Sequence, residues 1–315
     1  PFNRAARKSG DPSLKSAPAS ARPAYIDAVR GYYAKLGVKL EREDILATSG
    51  GGEALEFIMA CILDDGDELL VPEPFYANYN TFTFMSGGVI HPIPTSADNG
   101  YRFADRKLIE SQINERTRAI LVTNPGNPTG LVLTHEEMRV IADVVKEHDL
   151  FLVADEVYRE FIYDDEPMGT FCEMEDIKDH VIVVDSISKR FSACGARIGS
   201  IISRNREFMA EAMKLCQGRL CTATLDQTGA AAMYEHVQPS YFKEVRDEYK
   251  KRRDAVGGEV NKIPGTKFHT PGGGFSMMVT PPGGDAGKLP YFLLEEIEDD
   301  GGTGMFDPGR GFYSA

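Results

Sequence analysis

Ser186, Ser188, Lys189 and Arg197 carry the groups from which chemistry can most readily be built in this sequence. Arg197 follows the lysine by eight residues and stands between Gly195 and Gly199. All four come directly after Val181 to Val184, an apolar β-branched run that reads as a buried strand. An amine kept neutral by desolvation is a nucleophile toward carbonyls. Hydroxyls and a guanidinium hold phosphate, the guanidinium with two parallel bonds. A reactive amine and a phosphate clamp within one turn suggest a phosphorylated aldehyde held as a Schiff base, which is pyridoxal phosphate. An isolated Ser-x-Ser-Lys is more often an ordinary solvated surface lysine, so the remainder of the chain has to decide.

The elements that would position these residues alternate along the chain. Apolar residues recur at helical spacing from Tyr25 to Leu36, with Gly37 as the stop. Ile45 to Thr48 is a short strand, followed by Ser49-Gly50-Gly51-Gly52 and an apolar helix over Glu53 to Leu63. A glycine turn between strand and helix leaves backbone N–H groups free at the positive helix end, where phosphate binds. Three glycines are equally consistent with a plain flexible turn. Glu68 to Val71 is a strand that leads into Pro72-Glu73-Pro74-Phe75-Tyr76-Ala77-Asn78-Tyr79, a stiff turn presenting aromatics. Tyr76 fits either core packing or stacking on a flat cofactor.

Further strands are expected at Val89 to Ile93, Arg118 to Thr123, Leu150 to Ala154 and Ser200 to Ser203. The second of these ends in Asn124-Pro-Gly-Asn127-Pro-Thr-Gly130, turn chemistry at the strand end where open α/β sheets bind ligands. Thr134 and Glu137 form a capping box for a helix over Glu136 to His148. Asp155-Glu156-Val157-Tyr158 ends the third, and a carboxylate there is costly without a cationic partner. This alternation predicts an α/β fold with a mostly parallel sheet sandwiched by helices and a site at the strand ends. Helices follow from Glu207 to about Val256, broken by a Thr/Asp loop. Phe268 to Val279, with Pro271-Gly-Gly-Gly-Phe275, and a helix over Leu289 to Glu298 suggest a smaller α+β unit. The expected division is an N-terminal arm over 1–24, a large domain over 25–240 and a small C-terminal domain over 241–315.

Composition narrows the function. The 315 residues, 42% hydrophobic and 26% charged, suffice for one large core and a second smaller domain. A net charge of −13 argues against nucleic acid or an anionic membrane as partner. No apolar run approaches the roughly 18 residues of a membrane helix, and no signal-like segment opens the chain. Cys61, Cys172, Cys194, Cys216 and Cys221 lack zinc or CxxC spacing; they read as free thiols of a reducing cytoplasm, serving mainly as small buried apolar residues, and no metal site is expected.

Four motifs arrive in one order: Ser-Gly-Gly-Gly-Glu-Ala-Leu55, Asn-Pro-Gly-Asn-Pro-Thr-Gly130, Ala-Asp-Glu-Val-Tyr158, and Ser-x-Ser-Lys189 with Gly-x-Arg197-x-Gly. Together they resemble the class I/II aminotransferases, pyridoxal 5'-phosphate enzymes of the aspartate aminotransferase fold, from about Asp11 to the chain's end. The resemblance implies that Lys189 forms the Schiff base and shuttles a proton, while Asp155 pairs with the pyridine nitrogen. It implies that Tyr158 and Asn127 bond the ring's phenolic oxygen and that Tyr76 stacks on the ring. Gly51, Gly52, Ser186, Ser188 and Arg197 would hold the phosphate. It further implies a cytoplasmic homodimer acting on an L-amino acid and a 2-oxo acid. A β-eliminating lyase, a cyclopropane-forming synthase or an inactive cofactor-binding relic are the alternatives.

The sequence departs from the family's pattern in three places. A glycine-bearing segment expected between Gly10 and Asp11 is absent. The arginine expected on the substrate carboxylate would follow Pro-Gly-x-Gly-Phe312, yet the sequence ends at Ala315, and Arg310 lies inside that motif. Ser16 falls in a stretch where relatives carry a tyrosine that reaches the neighbouring subunit's phosphate.

Overall fold

Runs of β-branched and leucine residues without polar alternation form central strands buried on both faces, and among the described residues they stand in a seven-stranded sheet whose edge strand Val89–Ile93 is partly exposed. A computed structural model of the chain describes residues 16–164, 169–283, 287–298 and 305–314. In order, the elements are α1 (Pro23–Lys35), β1 (Ile45–Thr48), α2 (Gly51–Ile62), β2 (Glu68–Pro72), α3 (Asn78–Met85), β3 (Val89–Ile93), α4 (Arg106–Glu110), β4 (Thr117–Thr123) and α5 (His135–Glu147). They continue with β5 (Phe151–Asp155), β6 (Val181–Ser186), the single turn α6 (Ile187–Arg190), β7 (Gly199–Ser203), α7 (Arg206–Arg219), α8 (Thr224–His236) and α9 (Pro239–Val260). Beyond these lie the strand pair β8 (Lys267–Phe268) and β9 (Val279–Thr280), and α10 (Leu289–Glu296). The Gly10–Asp11 junction and most of the N-terminal arm lie outside the described residues. Ser16 is exposed, and Arg310 sits in the short turn Gly309–Phe312.

The sheet order is β1-β7-β6-β5-β4-β2-β3. Every neighbouring pair from β6 to β3 is parallel; β7 runs antiparallel to both β6 and β1. The mostly parallel sheet expected from the alternation is therefore the one found. Pleating divides each central strand between two cores. Ile120, Val122, Leu152, Ala154 and Val183 face one core with α1, α5 and α8, whereas Leu121, Val153, Ile182 and Val184 face the other with α2 and α7. Fully burying each such side chain stabilises the fold by roughly 1.5–3 kcal/mol before the ordering cost is counted. The Thr134–Glu137 capping box is present at the start of α5, a feature of about 1 kcal/mol.

Two stretches differ from the sequence reading. The aromatic stretch after Pro74 does not remain a turn, because from Asn78 it continues as α3. Helical spacing puts the buried Tyr79 and Thr83 on one side of it, and Tyr79 closes against the sheet. The helical region after β7 breaks twice, once at Leu220, which has φ +76, and again at Val237–Gln238. The last helix of that region, α9, packs Tyr241 and Phe242 on the core and brings Gly257 near Phe268 of β8, so it joins the sheet region to the small strand pair.

Parallel register gathers the strand ends at one edge. Thr123 of β4 faces Asp155 of β5, Asp155 faces Val184 of β6, Ser186 of β6 faces Gly199 of β7, and Gly199 faces Thr48 of β1. Residues far apart in sequence thus meet at one line across five strands.

Candidate active site

A cavity of about 170 Å³ opens at that line. Gly51, Gly52, Tyr76, Asn127, Asp155, Tyr158, Ser186, Ser188, Lys189 and Arg197 all line it, together with Leu55, Val157 and Cys194. Every residue named from the sequence as a site candidate is therefore on the wall of one cavity. Of the five free cysteines, Cys172 and Cys216 are buried as expected, but Cys194 is exposed and lies on this wall.

Asp155 ends β5 with 5% exposure. Burial lifts its carboxyl from the ordinary range to about 6; Asp185 adds to the rise, while a Tyr79 hydrogen bond, the Val157 N–H and the charge of Lys189 oppose it. Tyr79 OH donates to Asp155 Oδ2 at 2.7 Å, and the Val157 N–H reaches Oδ1 at 3.3 Å. Among the described residues, no ion pair is formed by Asp155. This carboxylate faces the cavity with hydrogen bonds from neutral groups alone.

Lys189 belongs to the single turn α6 and is half-buried. Its Nζ lies 5.5 Å from the Phe275 ring centre and 5.9 Å from that of Tyr158, two rings packed edge to face at 5.1 Å. Asn127 Nδ2 lies 3.5 Å from Tyr158 OH, at the outer limit of a hydrogen bond. The Tyr76 ring borders the cavity, its hydroxyl accepting from Asn78 Nδ2 at 2.7 Å.

The opposite end of the cavity is cationic and rich in N–H groups. Gly50 is the N-cap of α2 and offers no side-chain acceptor, so Gly51 and Gly52 form the first turn with helix N–H groups open to a ligand. Gly50 has φ +88, and a Cβ on it would sit 2.4 Å from Arg197 NH2. A Cβ on Gly199 would sit 2.7 Å from the Gly50 carbonyl carbon, so β7 can approach the glycine turn only without a side chain. Arg197 adopts φ +51, a left-handed backbone uncommon outside glycine, and its guanidinium is anchored to Cys194 O at 2.9 Å and Ser49 O at 3.2 Å. Ser186 caps α6 by accepting the Ser188 N–H at 3.1 Å, and its hydroxyl donates to Ser188 Oγ at 3.0 Å.

These residues fit pyridoxal phosphate on structural grounds. A buried carboxylate facing a cavity without a cation suits a protonated pyridine nitrogen. A helix start ringed by two serines and an arginine suits the phosphate, and an amine on the wall between suits the aldehyde. Two contributors were not singled out from the sequence. Tyr79 holds Asp155, and its i,i+3 spacing from Tyr76 was the available signal. Phe275 borders Lys189, carried there by a glycine-rich stretch between β8 and β9, remote in sequence.

Comparison with known proteins agrees with this geometry. Residues 4–297 match the family described as Aminotransferase class I and II. The chain is 31% identical over 293 residues to the probable aspartate/prephenate aminotransferase of Aquifex aeolicus, covering 90% of this chain and 74% of that protein. It is 32% identical over 257 residues to the aspartate aminotransferase of Musicola paradisiaca, covering 80% of this chain and 63% of that one, less than two thirds of its length. A Thermus thermophilus aspartate aminotransferase mutant superposes with TM-score 0.89 at 26% identity, over 99% of this chain and 84% of that structure.

Proposed function

The chain belongs to the class I and II aminotransferases, and from that premise we propose that it moves an amino group from an L-amino acid to a 2-oxo acid with pyridoxal 5'-phosphate. The observation that carries this reading is the meeting of Asp155, Lys189 and Arg197 with the α2 N-terminus around one cavity. When bound, pyridoxal phosphate supplies a carbonyl that captures the amino group and a ring that accepts the electrons left at the substrate Cα.

In this reading the protein's own groups hold and move protons. Asp155 keeps the ring nitrogen protonated, and Tyr79 holds Asp155 in place for that task. Lys189 would hold the cofactor through its aldehyde, water leaving as that bond forms, and its Nζ, when free, would be the base that carries a proton from the substrate Cα. Tyr158 and Asn127 would hydrogen-bond the phenolic oxygen of the cofactor, and the Tyr76 ring would stack on its pyridine ring. Gly51 and Gly52 N–H groups, Ser186, Ser188 and Arg197 bind the phosphate. Leu55 and Val157 add apolar wall to the cavity, and the Phe275 ring lies 5.5 Å from the amine.

The proposal includes a cytoplasmic homodimer. Among the described residues, no helix is long and apolar enough to cross a membrane. Exposed Phe84 and Met85 at the end of α3 offer apolar surface to a second copy of the chain. Sedimentation of the purified holoenzyme tests the dimer. A panel of L-amino acids added to that holoenzyme, followed by the absorbance of lysine-bound cofactor, tests the reaction. At least one donor should bleach that absorbance and a 2-oxo acid should restore it; bleaching by none removes the transaminase reading.

A further inference from the structure

We propose that the buried Asp185–Arg190 pair is a positioning brace that aims Lys189 and the two serine hydroxyls into the cavity, a role that rests on the aminotransferase reading above. Asp185 stands next to the end of β6 and Arg190 ends α6, so the pair closes over the segment that carries Ser186, Ser188 and Lys189. Both side chains are 1% exposed. Arg190 Nη1 donates to Asp185 Oδ2 at 3.0 Å, and Nη2 lies 2.9 Å from Oδ1 as an ion-pair contact without hydrogen-bond alignment, so both carboxylate oxygens face the guanidinium.

The pair is held from every side. Arg190 NH1 also donates to Tyr234 OH of α8 at 2.6 Å, and its guanidinium lies 4.1 Å over the Tyr32 ring of α1. Asp185 accepts from Tyr33 OH of α1 at 3.2 Å and, through Oδ1, from the Ser186 N–H at 2.7 Å. That last bond fixes the backbone at the residue where strand becomes helix. Glu160 is the next carboxylate, 3.8 Å from Arg190 Nε, and Arg159 is the next cation, donating to Tyr33 OH at 3.4 Å.

Two physical arguments make this a matter of direction more than of stability. A one-turn helix is too short to hold itself, because nucleation costs more than a single turn returns. Its three chemical side chains therefore take their aim from whatever clamps its ends. A buried ion pair, moreover, is often no more stabilising than well-packed apolar side chains, since desolvation offsets the attraction. What the pair supplies and hydrocarbon does not is a fixed two-point geometry.

The test separates direction from stability. Asp185→Asn or Arg190→Met alone leaves a buried charge unpaired and should lower the melting temperature of the cofactor-free protein strongly. The double variant Asp185→Asn/Arg190→Met removes both charges and should melt close to wild type. It should nevertheless bind pyridoxal phosphate about 10- to 100-fold more weakly, as misplaced groups do, and show a displaced pH midpoint for the lysine-bound absorbance. Wild-type affinity and midpoint in a double variant of wild-type stability would overturn the brace. Should the double variant fail to fold, Arg190→Lys decides: it keeps the charge but loses the fork, so weakened affinity supports the brace and unchanged affinity and midpoint refute it. Wild-type protein that binds no pyridoxal phosphate would instead remove the underlying functional reading.

Discussion

Asp155 ends β5 and Asp185 stands one residue before the end of the neighbouring β6; both are buried, yet the molecule treats them oppositely. Asp185 meets a guanidinium, a tyrosine hydroxyl and a backbone N–H, which answers the charge from within the chain. Asp155 receives one tyrosine and one backbone N–H, and burial leaves its carboxyl at about 6. A fold that gives one buried acid a guanidinium and its neighbour only neutral hydrogen-bond donors suits the role proposed for Asp155 toward a cation from outside. The contrast separates the acid that shapes the site from the acid that serves it.

The largest effect should come from Lys189, whose charge opposes the rise at Asp155. Lys189→Ala should lower turnover by about ten-thousand-fold, the upper range for loss of a positioned proton carrier. Borohydride should no longer fix pyridoxal phosphate to the protein. Continued fixation would mean that Lys189 is merely the counter-charge of Asp155, and the two acids would then differ little.

Asp155→Asn comes next, with a turnover loss of about 100-fold or more. Its stability effect runs the other way. The folded carboxyl, at about 6, sits above its ordinary value of 3.8, so the folded state binds the proton more tightly than the unfolded state. Its contribution to stability is fully present below about pH 4 and is lost as pH rises through about 6. At pH 7 the cofactor-free Asn variant should therefore be the more stable protein, by up to a few kcal/mol, since each tenfold difference in proton affinity is worth roughly 1.4 kcal/mol. The difference should vanish near pH 4. Thermal melts at both pH values read it, and a destabilised variant at pH 7 would show that Asp155 is already satisfied.

Gly199→Ala pushes a methyl group toward the Gly50 carbonyl carbon. Overpacking of this kind costs about 1–3 kcal/mol. Phosphate affinity of the cofactor-free protein should fall with it, as isothermal titration would show, while the acid contrast stays intact. The smallest effect is expected for Tyr79→Phe. Loss of its hydrogen bond moves the Asp155 carboxyl further up, so turnover should fall about ten-fold near pH 6 and less at pH 8, the scale of one hydrogen bond to a charged group. A loss independent of pH would assign Tyr79 to packing alone.

The mostly parallel sheet and the residues of the cavity wall were legible in the sequence for one reason, whereas the strand order was not. Val181 to Val184 and the other apolar runs announce buried strands, and polar clusters such as Asp155-Glu156 or Asn124 to Gly130 stand out at their ends. Parallel register then delivers those ends to one place without further information. What stayed hidden depends on contacts that no local pattern encodes. The bond from Tyr79 to Asp155 spans 76 residues, that from Tyr33 to Asp185 spans 152, and Phe275 reaches Lys189 from a separate glycine-rich stretch. No local pattern marks Arg190 as buried; its burial comes from Tyr32 of α1 and Tyr234 of α8.

The pairing of β1 with β7 sets when the phosphate cradle can exist. Ser186 to Arg197 arise within one hairpin between adjacent strands, a local piece of chain that can assemble early. Gly51 and Gly52 join only when Thr48 docks beside Gly199, across a loop of about 150 residues whose closure is slow. Capture of a phosphorylated ligand by the whole cradle therefore requires this one long-range pairing to be in place, whatever the order in which the rest of the chain folds.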